Sequence, residues 1–250
     1  MAEAESLADI INRKLEEALK NGTSNIPVEY SCPKCHDTGQ LVTVAPDGFT
    51  LSVTDCECER LRRNRLRVEQ SGLSETLDRY TFDTYQTPDD KTAAIKSAAL
   101  RYAAQKHTPS WFVITGTPGS GKTHICTAIV GKLIDSGFDC RYMLWRDEVR
   151  ELKALANDYG EYRSRMQRYK RAEVLYIDDF LKGSVTEADL NIAFELINTR
   201  YNLSLRTIIS GERDIRELME LDEAVGSRIY ERSKHGYLFA APDTNRRFDK

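Results

Sequence analysis

The chain has 250 residues, a formal net charge of −3, and 40% hydrophobic and 30% charged residues. This length suffices for one domain of ordinary size and a small additional module. No apolar run approaches the ~20 residues that a membrane span needs, and residues 1–22 lack the uninterrupted apolar stretch of a signal peptide. We therefore expect a cytoplasmic protein without a membrane partner. The slightly acidic balance excludes a general polyanion binder, so any nucleic-acid contact must use local basic patches.

The N-terminal part of the sequence predicts an amphipathic helix. Apolar residues recur at helical spacing between positions 7 and 19, and Asn21-Gly22 ends the pattern. A single helix with one apolar face needs something to cover that face. Two interpretations stay open: the helix packs on the module that follows it, or it docks on a partner protein.

Four cysteines follow in two pairs, Cys32-x-x-Cys35 and Cys56-x-Cys58. In a reducing compartment, four thiolates in this pattern indicate a closed tetrahedral Zn²⁺ site with a structural role. Four free cysteines or an iron–sulfur cluster are the alternatives. The residues between the two pairs predict a hairpin that turns at Pro46-Asp47-Gly48.

Predicted helices and strands alternate from residue 91 onward. Strands are expected at residues 111–115, 140–144, 174–177, 206–210 and 237–241. Helices are expected at residues 91–105, 121–136, 146–157, 161–171 and 214–220, and another should open at the capping box Ser184-x-x-Glu187. This alternation predicts an α/β domain with a parallel sheet flanked by helices. Residues 71–90 are rich in turn formers, and we interpret them as a linker between an N-terminal module (1–71) and this domain (72–250).

A glycine-rich loop lies between the first predicted strand of this domain and the helix that follows. It reads Gly116-Thr117-Pro118-Gly119-Ser120-Gly121-Lys122-Thr123 and fits the phosphate-loop pattern G-x-x-x-x-G-K-[ST]. In such a loop, backbone amides and the helix N-terminus cradle phosphates, the lysine reaches the β- and γ-phosphates, and the threonine hydroxyl binds Mg²⁺. The sequence therefore predicts that these residues bind ATP with Mg²⁺. The alternative is a chance match in a glycine turn.

The third predicted strand ends in two carboxylates, Asp178 and Asp179, as in a Walker B element. We expect Asp178 to help hold Mg²⁺ and Asp179 to orient or deprotonate the attacking water. Most hydrolysing relatives carry glutamate at the second place, and aspartate is one methylene shorter. A pair of solvated turn carboxylates is the alternative interpretation.

Together with these two motifs, three further segments resemble DnaC/DnaI-type replicative helicase loaders. They are INTRY (Ile197–Tyr201), TIIS (Thr207–Ser210) and GSRIYER (Gly226–Arg232). The related IstB transposition helpers share much of the same core, and the resemblance covers roughly residues 72–250. The cysteine module and the segment after it look like the DnaI-like branch. The resemblance implies an AAA+ fold of the initiator clade without a separate helical lid, and an ATPase activity.

The resemblance also implies roles for residues in the second half of the chain. Arg228 would be an arginine finger that enters the ATP site of a neighbouring subunit, which implies an ATP-dependent homo-oligomer. The alternative is a surface arginine that pairs with Glu231 or Asp222. The polar residue that senses the γ-phosphate is usually asparagine, and here Glu212, or Ser210 in another register, takes its place. A carboxylate beside a phosphate is unfavourable unless water or metal bridges them, so this departure bears on the hydrolysis rate.

The predicted helix around residues 161–171 mixes cations with tyrosines, a combination that suits single-stranded nucleic acid. Loaders of this type carry a DNA-contacting helical insertion close to this position. The candidate contacts are Arg163, Arg165, Arg168, Tyr169 and Lys170. A solvated helix face is the alternative.

These expectations combine into an ATP-dependent loader of the replicative DNA helicase onto single-stranded DNA, with the N-terminal module holding the helicase. An IstB-like transposition helper is a rival, although such proteins typically lack the cysteine module. A small-molecule P-loop kinase is a second rival, which would need an acceptor pocket and lid arginines. A module that holds ATP but barely hydrolyses it is the third.

Overall fold

The computed structural model describes residues 30–44, 51–68 and 73–242. The predicted amphipathic helix at positions 7–19 and the hairpin turn at Pro46-Asp47-Gly48 lie outside these residues. The chain divides into two compact units, with the division between Arg63 and Asn64. The functional boundary after residue 71 stays a prediction. Within the described ranges, no helix combines the length and the apolar character that a membrane crossing requires.

The first unit is built on an antiparallel hairpin. Strands β1 (Gln40–Val44) and β2 (Leu51–Asp55) pair from Gln40 opposite Asp55 to Val44 opposite Leu51, which confirms the predicted hairpin. Helix α1 (Glu57–Val68) follows directly. Among the described residues of this unit, the apolar cluster consists of the four cysteines with Leu41. A cluster of this size supplies little hydrophobic stabilisation by itself, which is the situation in which small domains use a metal or a disulfide.

The second unit contains a five-stranded parallel sheet. Its strands are β3 (Phe112–Thr115), β4 (Cys140–Leu144), β5 (Val174–Asp178), β6 (Arg206–Gly211) and β7 (Leu238–Ala240), in the spatial order β4-β5-β6-β3-β7. Every neighbouring pair is parallel. The helices are α2 (Ser74–Leu77), α3 (Asp90–Ala104), α4 (Lys122–Asp135), α5 (Trp145–Ala154), α6 (Tyr159–Lys170), α7 (Glu187–Asn202), α8 (Ile215–Leu221) and α9 (Glu223–Ser233).

Two apolar clusters cover the two faces of this sheet, because successive side chains of a strand point to opposite faces. On β3, Phe112 and Ile114 join the cluster formed with α3 and α4, while Val113 joins the cluster that includes residues of α5, α7 and α9. All five residues of β5 are buried. The arrangement confirms the predicted parallel sheet with helices on both sides.

The segment at residues 71–90 is not the linker that its turn formers suggested. Leu73, Leu77 and Tyr85 are buried in the cluster that covers α3 and α4. The ring of Tyr80 stacks on that of His124 in α4 at 4.7 Å. The prediction was wrong because the turn formers separate well-spaced apolar side chains, and these side chains gain free energy by packing on the sheet domain.

Helix α7 begins two residues later than the predicted capping box at Ser184 and Glu187. The observed box pairs Thr186 with Asp189: the Asp189 carboxylate accepts the Thr186 amide at 2.8 Å, and Thr186 Oγ1 accepts the Asp189 amide at 3.4 Å. Both boxes have the same spacing. Asp189 also pairs with Lys153 of α5 at 2.6 Å, an interaction between elements that favours the second box.

Helices α8 and α9 pack closely at Gly226. A β-carbon placed on Gly226 would lie 2.7 Å from the Met219 backbone nitrogen and 2.8 Å from its α-carbon. Only glycine therefore allows this approach of the two helices. This packing is one reason why a glycine stands at the first position of the GSRIYER segment.

We expect Gly226→Ala to lower the free energy of unfolding by ~1–3 kcal/mol, because the new methyl group meets backbone atoms that no side-chain rotation can move away. Gly160→Ala in α6 is the matched control. Its β-carbon would meet Asp158 Oδ1 at an ordinary 3.5 Å. That variant should be as stable as wild type or gain up to ~1 kcal/mol from helix propensity. Urea unfolding measures both, and equal stability of the two variants would contradict the packing argument.

Candidate nucleotide-binding site

The glycine-rich loop connects the end of β3 to the start of α4. Gly119 and Gly121 have φ angles of +81° and +89°, in the left-handed region that residues with a β-carbon rarely adopt. Gly121 is the N-cap of α4, so the unpaired amides of the first helical turn face the loop. Loop and helix N-terminus together supply the backbone amides that bind phosphate groups in loops of this kind.

The Lys122 side chain folds back over this loop. Its Nζ donates to the carbonyl oxygens of Gly116 at 2.8 Å and Thr117 at 2.7 Å. Burial lowers the pKa of the Lys122 ammonium, and the nearby carboxylates of Glu212 and Asp179 oppose that effect. The ammonium thus lies at the loop, in an environment whose carboxylates favour the charged form.

Asp178, the last residue of β5, lies at the centre of the site. Its carboxylate accepts hydrogen bonds from the hydroxyls of Ser210 on β6, Tyr142 on β4 (3.2 Å) and Thr123 on α4 (3.4 Å to each oxygen). The amide of Asp179 also donates to it at 3.1 Å. Burial raises the pKa of the Asp178 carboxyl, while the hydroxyl donors act in the opposite direction. Thr123 and Asp178 together offer the oxygen donors that Mg²⁺ prefers.

The second carboxylate, Asp179, is held differently. Its backbone has a φ angle of +55°, unusual for a residue with a side chain. Its Oδ2 lies 3.2 Å from Lys182 Nζ, and the same ammonium lies 2.8 Å from Glu212 Oε1. Asp179 therefore faces a lysine–glutamate pair at the end of the sheet, unlike Asp178.

The two candidates for the sensing residue occupy different places. Ser210 is fully buried within β6, where it donates to Asp178 and lies 3.2 Å from the Tyr176 hydroxyl. Glu212 follows β6, is about a third exposed, and pairs with Lys182. Glu212 is thus the more accessible of the two, and its role stays a prediction.

The candidate arginine finger, Arg228, lies on α9 and is partly exposed. Its Nη1 donates to the carbonyl of Ala224 at 2.7 Å, and the guanidinium lies 5.5 Å and 5.6 Å from the ring centres of Phe194 and Tyr201. The surface-pairing alternative is not what the geometry shows. Glu231 instead accepts a hydrogen bond from Tyr201, and Asp222 accepts the Val225 amide at the start of α9.

Several candidate DNA-contacting side chains of the basic helix α6 pair with carboxylates of the same protein. Arg165 makes a two-pronged ion pair with Glu148, and the Tyr169 hydroxyl donates to the same carboxylate at 2.6 Å. Lys170 pairs with Glu195 of α7 at 2.9 Å. Arg163 and Arg168 are exposed. Of the five candidates, these two arginines therefore present their charge to solvent most openly.

Three residues of this site were missed in the sequence: Tyr142, Tyr176 and Lys182. Tyr142 and Tyr176 lie within strands that read as ordinary core, and only the register of β4, β5 and β6 brings their hydroxyls to the buried carboxylate network. Lys182 follows the acidic strand by four positions in an irregular loop. Its position in the sequence, shortly after the paired aspartates, does not predict that its ammonium contacts Asp179 and Glu212.

The four cysteines of the first unit form a separate centre. Their sulfurs all lie within 4.8 Å of one another, with Cys32 and Cys56 at 3.8 Å and Cys35 and Cys58 at 3.3 Å. A tetrahedral site with Zn–S distances of ~2.3 Å places its sulfurs ~3.8 Å apart, so the donor set fits Zn²⁺. Hydrogen bonding from the backbone at Cys35 and Lys34 lowers the pKa of the Cys32 thiol to about 7.

The buried Asp178 carboxylate should make the pH dependence of stability measurable. Because its pKa is raised on folding, the folded state holds this proton at pH values where the unfolded state has lost it. Wild-type stability therefore falls as pH rises through that window. We expect Asp178→Asn, in Mg²⁺-free buffer, to be more stable than wild type near neutral pH, with a smaller difference at about pH 5.

Denaturant unfolding at both pH values measures this difference, and the exposed Asp83→Asn is the control. The neighbouring hydroxyls can reverse their hydrogen bonds to suit an amide. A stability gain that does not depend on pH would contradict the assignment.

Comparison with known proteins identifies relatives of this chain. The chain is 27% identical to "Uncharacterized protein YqaM" of Bacillus subtilis (strain 168), and the match covers 85% of this chain and 83% of the relative. The fold is that of two solved structures: DnaI (TM-score 0.60, 19% identity, 72% of this chain and 99% of that one) and the DnaC helicase loader (TM-score 0.58, 21% identity, 66% and 99%). The family model described as "IstB-like ATP binding protein" matches residues 54–235, most of the chain, so the chain belongs to the IstB-like ATP-binding protein family.

Proposed function

We propose that the chain is an ATP-hydrolysing loader that places a replicative DNA helicase on single-stranded DNA. One observation carries this proposal. The phosphate loop faces a buried Asp178–Ser210–Tyr142 network at the ends of parallel strands, in a chain that also holds a four-cysteine centre. The fold shared with DnaI and the DnaC helicase loader supports it.

In this proposal the loop amides and Lys122 bind the triphosphate of ATP. Thr123 and Asp178, whose oxygens lie 3.4 Å apart, are the residues that would hold Mg²⁺. When bound, Mg²⁺ neutralises negative charge on the phosphates. Asp178 needs no large movement for this role, because three hydroxyls and a backbone amide already orient its carboxylate.

Asp179 is the residue that would orient the attacking water and accept its proton. It is partly exposed, and its carboxylate lies at the open end of the sheet beside Lys182. Aspartate reaches less far than the glutamate usual in hydrolysing relatives. Slow turnover is therefore expected from a single chain.

Arg228 would complete the ATP site of a neighbouring copy, which makes ATP the organiser of a homo-oligomer. Its guanidinium lies against the rings of Phe194 and Tyr201 without a carboxylate partner in the described ranges. Stacking on rings costs little to break compared with a buried ion pair. To reach a phosphate on another subunit, Arg228 gives up these ring contacts and the 2.7 Å hydrogen bond from its Nη1 to the Ala224 carbonyl.

The N-terminal module, residues 1–71, would hold the helicase, and Zn²⁺ at Cys32, Cys35, Cys56 and Cys58 would stabilise its fold. The exposed Arg163 and Arg168 of α6 would contact the DNA backbone. The cysteine centre also separates this proposal from an IstB-like transposition helper, which typically lacks it. A P-loop kinase would leave Arg228 and the paired aspartates without a role.

The ATP site gives the first test. We expect Lys122→Ala to weaken ATP binding by ~100-fold or more and to abolish hydrolysis, because it removes a charge-assisted contact to the phosphates. Arg228→Ala should bind ATP as wild type does but lose ATP-dependent self-association and ~10³-fold or more of turnover. Equilibrium binding measures the affinity for ATP, phosphate release measures turnover, and sedimentation measures self-association. Retained ATP affinity in Lys122→Ala would overturn the assignment of the loop.

The cysteine centre gives the second test. We expect wild-type protein to contain one equivalent of zinc, and Cys56→Ser to lose it together with binding to the cognate helicase at micromolar concentration. Cys126→Ser is the matched control, because Cys126 is equally buried but lies in α4. Elemental analysis and co-purification give the two readouts. Wild-type protein that holds zinc but does not bind the helicase would contradict the loader proposal and leave the metal site intact.

A further inference from the structure

Lys182 is a charged residue of the site that belongs to none of the sequence motifs. Its ammonium lies 3.2 Å from Asp179 Oδ2 and 2.8 Å from Glu212 Oε1, with the side chain 30% exposed. An ammonium has three donors, and these contacts use two of them. The third remains for a further acceptor.

The loop that carries Lys182 is held rigidly at the end of β6. The Phe180 amide donates to the Ser210 carbonyl at 2.9 Å. Arg213 holds both chain neighbours of Lys182: its Nε donates to the Leu181 carbonyl at 3.0 Å and its Nη2 to the Gly183 carbonyl at 2.6 Å. Hydrogen bonds thus hold the residues on both sides of Lys182, and Leu181 has a left-handed conformation (φ +50°). Together they set the position of the Lys182 α-carbon.

This place is close to the phosphate loop. Asp179, which Lys182 contacts, follows Asp178 directly, and the Asp178 carboxylate lies 3.4 Å from the Thr123 hydroxyl at the end of the phosphate loop. In agreement with this, Lys182 lowers the pKa of the Lys122 ammonium, and the carboxylates of Glu212 and Asp179 raise it. Two ammonium groups at one site repel each other, and a bound anion would offset that cost. The loop that carries Lys122 is the one that binds phosphate in the proposed function.

We propose that Lys182 contacts the γ-phosphate of ATP and that Glu212 holds it in place, so that the two residues together replace the neutral sensing side chain of related ATPases. The inference rests on the proposed function, because it requires ATP in the loop. It accounts for the glutamate after β6: alone, that carboxylate would repel a phosphate, whereas its pairing with Lys182 offsets this repulsion and orients a cation.

The decisive property is discrimination between ATP and ADP, since only ATP has a γ-phosphate. We expect Lys182→Met, which keeps most of the length of the side chain, to weaken Mg·ATP binding by ~10-fold or more, while ADP affinity stays within ~2-fold of wild type. Equilibrium binding to the full-length protein measures both. Lys153→Met is the matched control, because Lys153 also pairs with an aspartate (Asp189, 2.6 Å) and is 35% exposed. It should leave both affinities unchanged.

Two further variants separate phosphate contact from general damage to the site. Lys182→Arg keeps the cation and should retain most of the preference for ATP. Glu212→Gln releases the lysine and should lose part of that preference, and the double variant Lys182→Met/Glu212→Gln should be no worse than Lys182→Met alone. Because the lost contact is one to bound ATP, the KM of Lys182→Met for ATP should rise together with the loss of affinity.

The outcomes distinguish this inference from the proposed function. Wild-type protein that does not bind ATP would overturn both. Wild-type protein that binds ATP, with Lys182→Met unchanged for both nucleotides, would overturn the inference alone. An equal loss of ATP and ADP affinity would also overturn it, because a structural defect of the loop affects both nucleotides.

Discussion

The second unit depends on one buried carboxylate. Asp178 at the end of β5 accepts hydrogen bonds from β4 (Tyr142), β6 (Ser210) and α4 (Thr123). Removing a carboxylate from water is costly unless several donors compensate, so this network fixes the relative positions of three strands and the helix of the phosphate loop. The network therefore connects the phosphate loop and the acidic end of β5 to the neighbouring strands through one buried carboxyl group.

Around this fixed centre, the outer part of the site balances charge with exposed side chains. Lys122 lies on the loop, and Asp179, Lys182 and Glu212 form a chain of alternating sign at the end of the sheet. Each of these groups is partly exposed except Lys122, so they can rearrange around an anion while the Asp178 network stays in place. The division separates a buried, hydrogen-bonded part of the site from a partly exposed, charged part, which contacts the ligand in our proposal.

Some elements followed directly from local pattern, and others were misread for reasons that the packing makes clear. The loop from Gly116 to Thr123, the acidic end of β5 and the hairpin before Cys56 have short-range signatures, and each lies where its pattern predicts. The segment at residues 71–90 was misread as a linker because composition does not reveal that Leu73 and Tyr85 are covered by α3 and α4. The position of the α7 cap was decided by a partner on α5, Lys153.

Spacing and residue type within a few tens of residues are enough to predict the alternation of strands and helices, the phosphate loop, the paired aspartates and the cysteine set. The strand order, the hydroxyl network around Asp178, the Lys182–Glu212 pair and the internal pairing of Arg165 and Lys170 became visible only in the folded chain. These features depend on side chains that approach across distant parts of the chain. A parallel sheet brings such residues together through crossovers that local pattern does not specify.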